Sequence, residues 1–104
     1  MARVRAFIVA HGDARFERID EGGFARDVAN RAGWRDKETF YIATDAWAAI
    51  HRGADPKRAV QYVRAAGFLR PGDGKNLASK APRIVNGRPR VYAVLGDIMG
   101  AGED

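Results

Sequence analysis

From Thr44 to Val94 the chain reads TDAWAAIHRGADPKRAVQYVRAAGFLRPGDGKNLASKAPRIVNGRPRVYAV, and the punctuation of this stretch decides the rest. Thr44 or Asp45 can accept a hydrogen bond from the free amides of a first helical turn, so either serves as an N-cap. Ala46, Trp47, Ala49 and Ile50 then recur on one side at helical spacing. His51 and Arg52 fall in the last turn, where positive charge suits the helix dipole. Gly53 supplies a left-handed stop. A second helix restarts at once: Asp55 caps it, and Pro56 takes the first helical position, where its missing N–H costs nothing. Ala59, Val60, Val63 and Ala66 form the buried stripe, with Tyr62 on its border. Gly67 ends the helix, and Phe68 is placed to cover Val63, the apolar contact that accompanies a glycine C-cap. Only Gly53 and Ala54 separate the two helices, which forces a sharp turn.

Beyond the second helix, Arg70 to Asn76 reads as a loop. Its Gly74-Lys75 lacks the spacing, the hydroxyl residue and the following helix of a phosphate-binding loop, so ATP binding is rejected for this chain. Leu77 to Val85 leads into Asn86-Gly87, a strong hairpin signal. The return strand runs from Arg88 to Val94, with Pro89 at its start, where a missing donor is tolerated. Arg88 and Arg90 share one face with Tyr92, while Val91 and Ala93 take the core face; Lys80 and Arg83 come from the opposing strand. Helix, tight turn, helix and basic hairpin make up the plan of a winged helix-turn-helix, a plan that domains with no nucleic-acid role also use. The expected class is α+β, with about three helices and two β-hairpins.

The rest of the chain is arranged around this stretch. Val4, Phe7 and Ile8 predict a short amphipathic helix over 2–11, ended by Gly12 and packed on the helix pair, since a helix this short is not stable alone. Residues 13–19 fit either a helix or an edge strand, and Asp20-Glu21-Gly22-Gly23 is a break. Residues 28–35 and 39–43 read as two strands joined at Asp36-Lys37-Glu38. Gly33 inside the first of them signals a bulge or a close backbone approach. Trp34 and Tyr41 either stack on bases or, the favoured reading, pack on the helices. Residues 1–95 are expected to form one domain and 96–104 a flexible, acidic, glycine-rich tail. The two hairpins fit one sheet or two.

Composition narrows the function. A chain of 104 residues buries roughly 65% of its unfolded surface, enough for one core. There is no cysteine, so disulfides and thiolate metal sites are excluded, which fits a reducing cytoplasm. No apolar run approaches the ~20 residues of a membrane span, and the start lacks a signal-peptide core. His11, Asp13 and Arg15 lie close together, but a lone histidine beside one aspartate is ordinary loop chemistry. Two histidines without carboxylates at ligand spacing make a poor metal site. No nucleophile, base and orienting group converge, so no enzyme is expected, and no cofactor.

The net charge is +5, and its placement is informative. Up to Ile50, eight basic residues balance eight acidic ones; from His51 to Tyr92, ten basic residues face only Asp55 and Asp73. One-sided positive charge is the electrostatic footprint of a polyanion binder. The expected contacts are Lys57, Arg58, Gln61 and Arg64 on the second helix and Lys75, Lys80, Arg83, Arg88 and Arg90 on the hairpin. Lys57, Gln61 and Arg64 form one outward stripe, in which Gln61 can read an adenine edge in the major groove. The wing cations would hold phosphates, which position a protein without specifying sequence.

Asn30-Arg31-Ala32-Gly33-Trp34, Tyr41-Ile42 leading to Trp47, Gly67-Phe68-Leu69 and Arg90-Val91-Tyr92-Ala93-Val94 resemble the C-terminal segment of large phage- and plasmid-type primase–helicase-like proteins, a domain-of-unknown-function group. The resemblance covers most of the chain up to Val94. It implies an accessory domain beside a DNA-processing motor whose ATPase motifs lie upstream. None of those motifs occurs in this chain, so the resemblance passes on neither motor activity nor any functional residue. Two readings follow: a domain binding nucleic acid, DNA before RNA, or a protein-interaction module that docks on a motor domain or dimerises.

Overall fold

The computed structural model describes residues 2–19, 30–73 and 76–100. The α+β expectation holds: these residues form three α-helices and one six-stranded sheet. The helices are α1 (Ala2–His11), α2 (Thr44–Ile50) and α3 (Pro56–Ala65). The strands are β1 (Phe16–Arg18), β2 (Gly33–Arg35), β3 (Thr39–Ala43), β4 (Leu69–Arg70), β5 (Ser79–Lys80) and β6 (Arg90–Leu95).

The ambiguous 13–19 stretch is an edge strand: β1 pairs parallel to β2, with Phe16 beside Gly33. β2 and β3 form the expected hairpin, though its first strand begins at Gly33 and not at residue 28 (residues 28 and 29 lie outside the described residues), and Trp34 faces Tyr41 across it. The Asp36 carboxylate holds the turn. One of its oxygens accepts from the amides of Glu38 and Thr39, both at 2.8 Å. The other accepts from the Tyr41 hydroxyl at 3.1 Å. Burial, and then the neighbouring Asp36 charge, push the Tyr41 phenol up, so it stays protonated and donates. β6 pairs antiparallel with β3 along its length. Its other edge is shared: β4 covers Ala93 and Val94, and β5 covers Arg90 and Val91. The two hairpins therefore belong to one sheet.

Both sheet faces are covered. On one, Phe40, Ile42 and Val94 pack with Val4 and Ile8 of α1, Trp47 of α2, and Val60 and Val63 of α3. On the other, Trp34, Tyr41, Val91 and Ala93 pack with Ala81 and Val85 from the β5–β6 loop. Two expectations are corrected here. Trp34 and Tyr41 are buried on the face away from the helices, so they do not pack on them. Tyr92 points into the larger core, with its ring 5.2 Å from that of Trp47. A six-stranded sheet with both faces occupied leaves no outward face on its central strand, so period-two alternation along β6 separates two cores instead of core from solvent.

The helix pair follows its sequence signals except at one cap and at Ala49 and Ala66, stripe positions that are exposed. The Asp55 side chain accepts from the amides of Lys57 and Arg58, as an N-cap should. At the other end of α3, Phe68 N donates to Val63 O and Gly67 N to Arg64 O, with Gly67 at φ +86°. This is the paired bonding of a glycine C-cap. α2 has no side-chain cap: Ala43, still paired to Val91, is its N-cap, and neither Thr44 nor Asp45 fills that role. The sheet fixes where the strand ends, so the helix starts there without a capping side chain.

Trp47 locks the angle between the two helices. Its ring is 1% exposed, its Nε1–H donates to the Pro56 carbonyl at 2.9 Å, and it lies 4.5 Å from the His51 ring. His51 does not supply helix-terminal charge as expected. It is 5% exposed and its Nδ1 lies 3.0 Å from Trp47 O, so the neutral ring carries its proton on Nδ1 and donates it there. Burial lowers its pKa below the usual histidine value, outweighing the bond to Trp47, which acts the other way. The unfolded chain therefore binds a proton that the folded chain refuses. Stability is full above the ordinary histidine pKa of ~6.5 and falls as pH drops below it, by up to about 1.4 kcal/mol per pH unit until the folded group titrates. Urea unfolding between pH 7.5 and 5.5 should show this loss, and His51→Phe should flatten it. An equal slope in the variant would assign the effect elsewhere.

The tail boundary also moves. Gly96–Met99 is a 3-10 turn whose Ile98 is buried in the larger core. The Ile98 carbonyl accepts from Arg5 Nε at 2.9 Å. The domain thus extends past residue 95, to Gly100 at least. No helix among the described residues is long and apolar enough to cross a membrane.

Candidate nucleic-acid interface

α3 turns Val60 and Val63 inward and leaves Lys57, Arg58, Gln61, Tyr62 and Arg64 in solvent. Its four predicted contacts therefore share one outward surface. The Asp55 carboxylate already occupies the first free amides of the helix. Any anion held here is held by side chains. Tyr62, a border position on the helical wheel, is 57% exposed. Arg58 lies over its ring at 5.9 Å. Tyr62 lies one residue beyond Gln61 on the outward arc, and that position was the available signal.

The second group lies on β5, β6 and the loop between them. Lys80 and Arg90 are directly opposed across the two strands, and both are exposed. Like charges so placed repel each other unless an anion lies between or beside them. Arg83 is exposed in the loop. Lys75 lies outside the described residues. The hairpin differs from expectation in two respects. Its first strand is Ser79–Lys80 only, and the nine residues to Arg90 form a wide loop. Asn86-Gly87 still makes a turn, closed by Arg88 N to Val85 O at 3.2 Å. The ladder ends at Ala81, whose N–H still reaches Pro89 O at 2.8 Å, because Pro89 has no N–H to donate back; beyond it Val85 turns in, with Ala81, to cover Trp34 and Tyr41. Arg88 is corrected as well. It precedes β6 at φ +41° and its Nε donates to the Ala81 carbonyl at 2.9 Å, so part of its guanidinium closes the loop.

Ion pairing among the described residues is confined to the β1–β2 side of the sheet. The ion pairs among the described residues are Arg31–Glu17 at 3.2 Å and Arg35–Asp13 at 3.4 Å, both near the β1–β2 edge. Arg35 and Arg31 also lie over the rings of Phe40 and Trp34. By contrast, Lys57, Arg64, Lys80, Arg83 and Arg90 have no acidic partner and no side-chain hydrogen bond among the described residues. No three histidine, aspartate or glutamate side chains among the described residues are grouped to hold a metal ion. A search of protein-family models finds no match for this chain, and neither does a search of curated proteins.

Proposed function

We propose that this chain is a non-catalytic, DNA-binding winged helix-turn-helix domain, serving as an accessory domain of a primase/helicase-like DNA-processing protein. α3 is the helix presented to the major groove, and the β5–β6 loop is the wing. The observation that carries the reading is the set of exposed cations on α3 and the wing, Lys57, Arg64, Lys80, Arg83 and Arg90, that have no acidic partner among the described residues. The strand order supports it: β3 leads into the helix pair, and the wing strand β6 returns beside β3. In this reading Lys57, Arg58 and Arg64, with Lys80, Arg83 and Arg90, hold phosphates, while Gln61 reads a base edge.

Equilibrium binding of a short mixed-sequence duplex across a salt series tests this. With about six phosphates neutralised, log K should fall against log salt with a slope of about −5. Lys57→Ala and Arg64→Ala together should reduce that slope by roughly 2 and weaken binding uniformly across sequences. Gln61→Ala should instead relax preference at one base pair, by about 1–3 kcal/mol of discrimination. A flat salt response would remove the proposal. It would favour the second reading, a module docking on an ATPase domain of its parent protein or on a second copy, for which exposed Tyr62 is an aromatic anchor.

A further inference from the structure

Two aliphatic side chains among the described residues stand out in solvent: Val9 at 75% and Ile84 at 65%. A single exposed apolar residue needs no explanation in itself, and Val9 sits among alanines on α1. Ile84 has different surroundings. It follows Arg83 directly, in the loop that Arg88 closes, beyond the opposed Lys80 and Arg90.

The loop holding Ile84 is braced. Ala81 N donates to Pro89 O at 2.8 Å and Val85 N to Pro82 O at 2.9 Å, in addition to the two bonds from Arg88. Val85, the next residue, is buried against the sheet together with Ala81. With Val85 anchored inward, its neighbour Ile84 is held outward by backbone geometry. The chain thus presents a stiff, branched, apolar side chain on the Pro82–Val85 turn of a cationic loop. Proteins that unstack DNA use this combination: cations draw the phosphates in, and an apolar wedge enters between base pairs, kinking the duplex by about 20–90°.

Resting on the nucleic-acid reading above, we propose that Ile84 is a wedge inserted at a base step of duplex DNA by the wing, bending the DNA the domain binds. Unstacking costs free energy that a flexible or mismatched step has already lost, so the domain favours such steps.

The test uses the full chain and a duplex of about 20–30 base pairs carrying a fluorophore pair at its ends. Binding of the wild-type protein should raise end-to-end energy transfer. A central mismatch should tighten its binding about tenfold. Ile84→Ala, at an exposed position, should keep the wild-type melting temperature and most of the affinity, but leave energy transfer at the free-duplex level and abolish the mismatch preference. Ile84→Phe should restore both. Wild-type binding without bending, or equal bending by Ile84→Ala, overturns the wedge and leaves DNA binding standing. Failure of the wild-type protein to bind any duplex overturns both.

Discussion

Replacing Trp47 with alanine is expected to lower the melting temperature by about 15–30 °C. The cost of truncating a buried tryptophan is about 3–5 kcal/mol, and each kcal/mol is worth about 4–8 °C in a domain near this size. Total stability for a chain this long is on the order of 5–15 kcal/mol, so the variant approaches the unfolding threshold at 37 °C. Trp47 packs on His51 within its own helix and on Tyr92 of the central strand, and its N–H reaches Pro56 at the start of α3. The three contacts join both helices to the sheet. Trp47→Phe separates packing from bonding: the ring stays and the bond to Pro56 goes, at about 1–2 kcal/mol. Because the Trp47 N–H is bonded to the start of α3, the proposed function predicts that Trp47→Ala weakens DNA binding even at temperatures where it remains folded. Calorimetry would show the effect directly. A loss below about 1 kcal/mol for the alanine variant would mean that the helix pair is held by something other than this ring.

The helix pair was legible in the sequence because its signals are local. Asp55-Pro56 and Gly67-Phe68 carry caps whose partners lie within a few residues, and such bonds form wherever the segment goes. The sheet was legible only in pieces. Nothing local in Phe16-Glu17-Arg18 selects a strand; its pairing with β2 depends on a segment more than a dozen residues away. Alternation along a half-buried strand puts Tyr92 on the solvent face. The sheet has two cores, and the same alternation separates those. His51 was read as a helix-terminal cation because the sequence cannot show that Trp47 and the sheet close over it.

The candidate interface was more legible than the sheet. Lys57, Arg58, Gln61 and Arg64 needed only a helical wheel and a correct buried stripe. The wing was harder. A hairpin with a tight Asn-Gly turn would have put Arg83 and Arg88 on strands. Beyond Ala81 the loop instead gives up pairing to bury Val85, which places Arg83 and Ile84 in the Pro82–Val85 turn and uses Arg88 to close its base. Non-local burial of Trp34 and Tyr41 thus shapes the cationic loop surface.

That coupling gives Gly33 consequences far from its own position. Gly33→Ala is expected to cost about 3 kcal/mol or more, the upper end for a small-to-large change at a packed site. A Cβ at Gly33 would collide with the Tyr41 carbonyl in the adjacent strand. The strand cannot move aside, because β1 holds its other edge through Phe16. Gly53 provides the control. It has φ +86° but nothing within 4 Å of an added Cβ, so Gly53→Ala carries only the left-handed backbone cost, about 1–2 kcal/mol. The two glycines should therefore rank clearly apart in denaturant unfolding, and equal costs would contradict the close approach at Gly33. The distant effect follows from the second core. Displacing β2 moves Trp34, which moves the seat of Val85 and Ala81, so in Gly33→Ala the wing loop should lose amide-exchange protection while α3 keeps its own. If the wing stays protected when β2 is disturbed, it stands on its own hydrogen bonds, and the second core merely fills space beneath it.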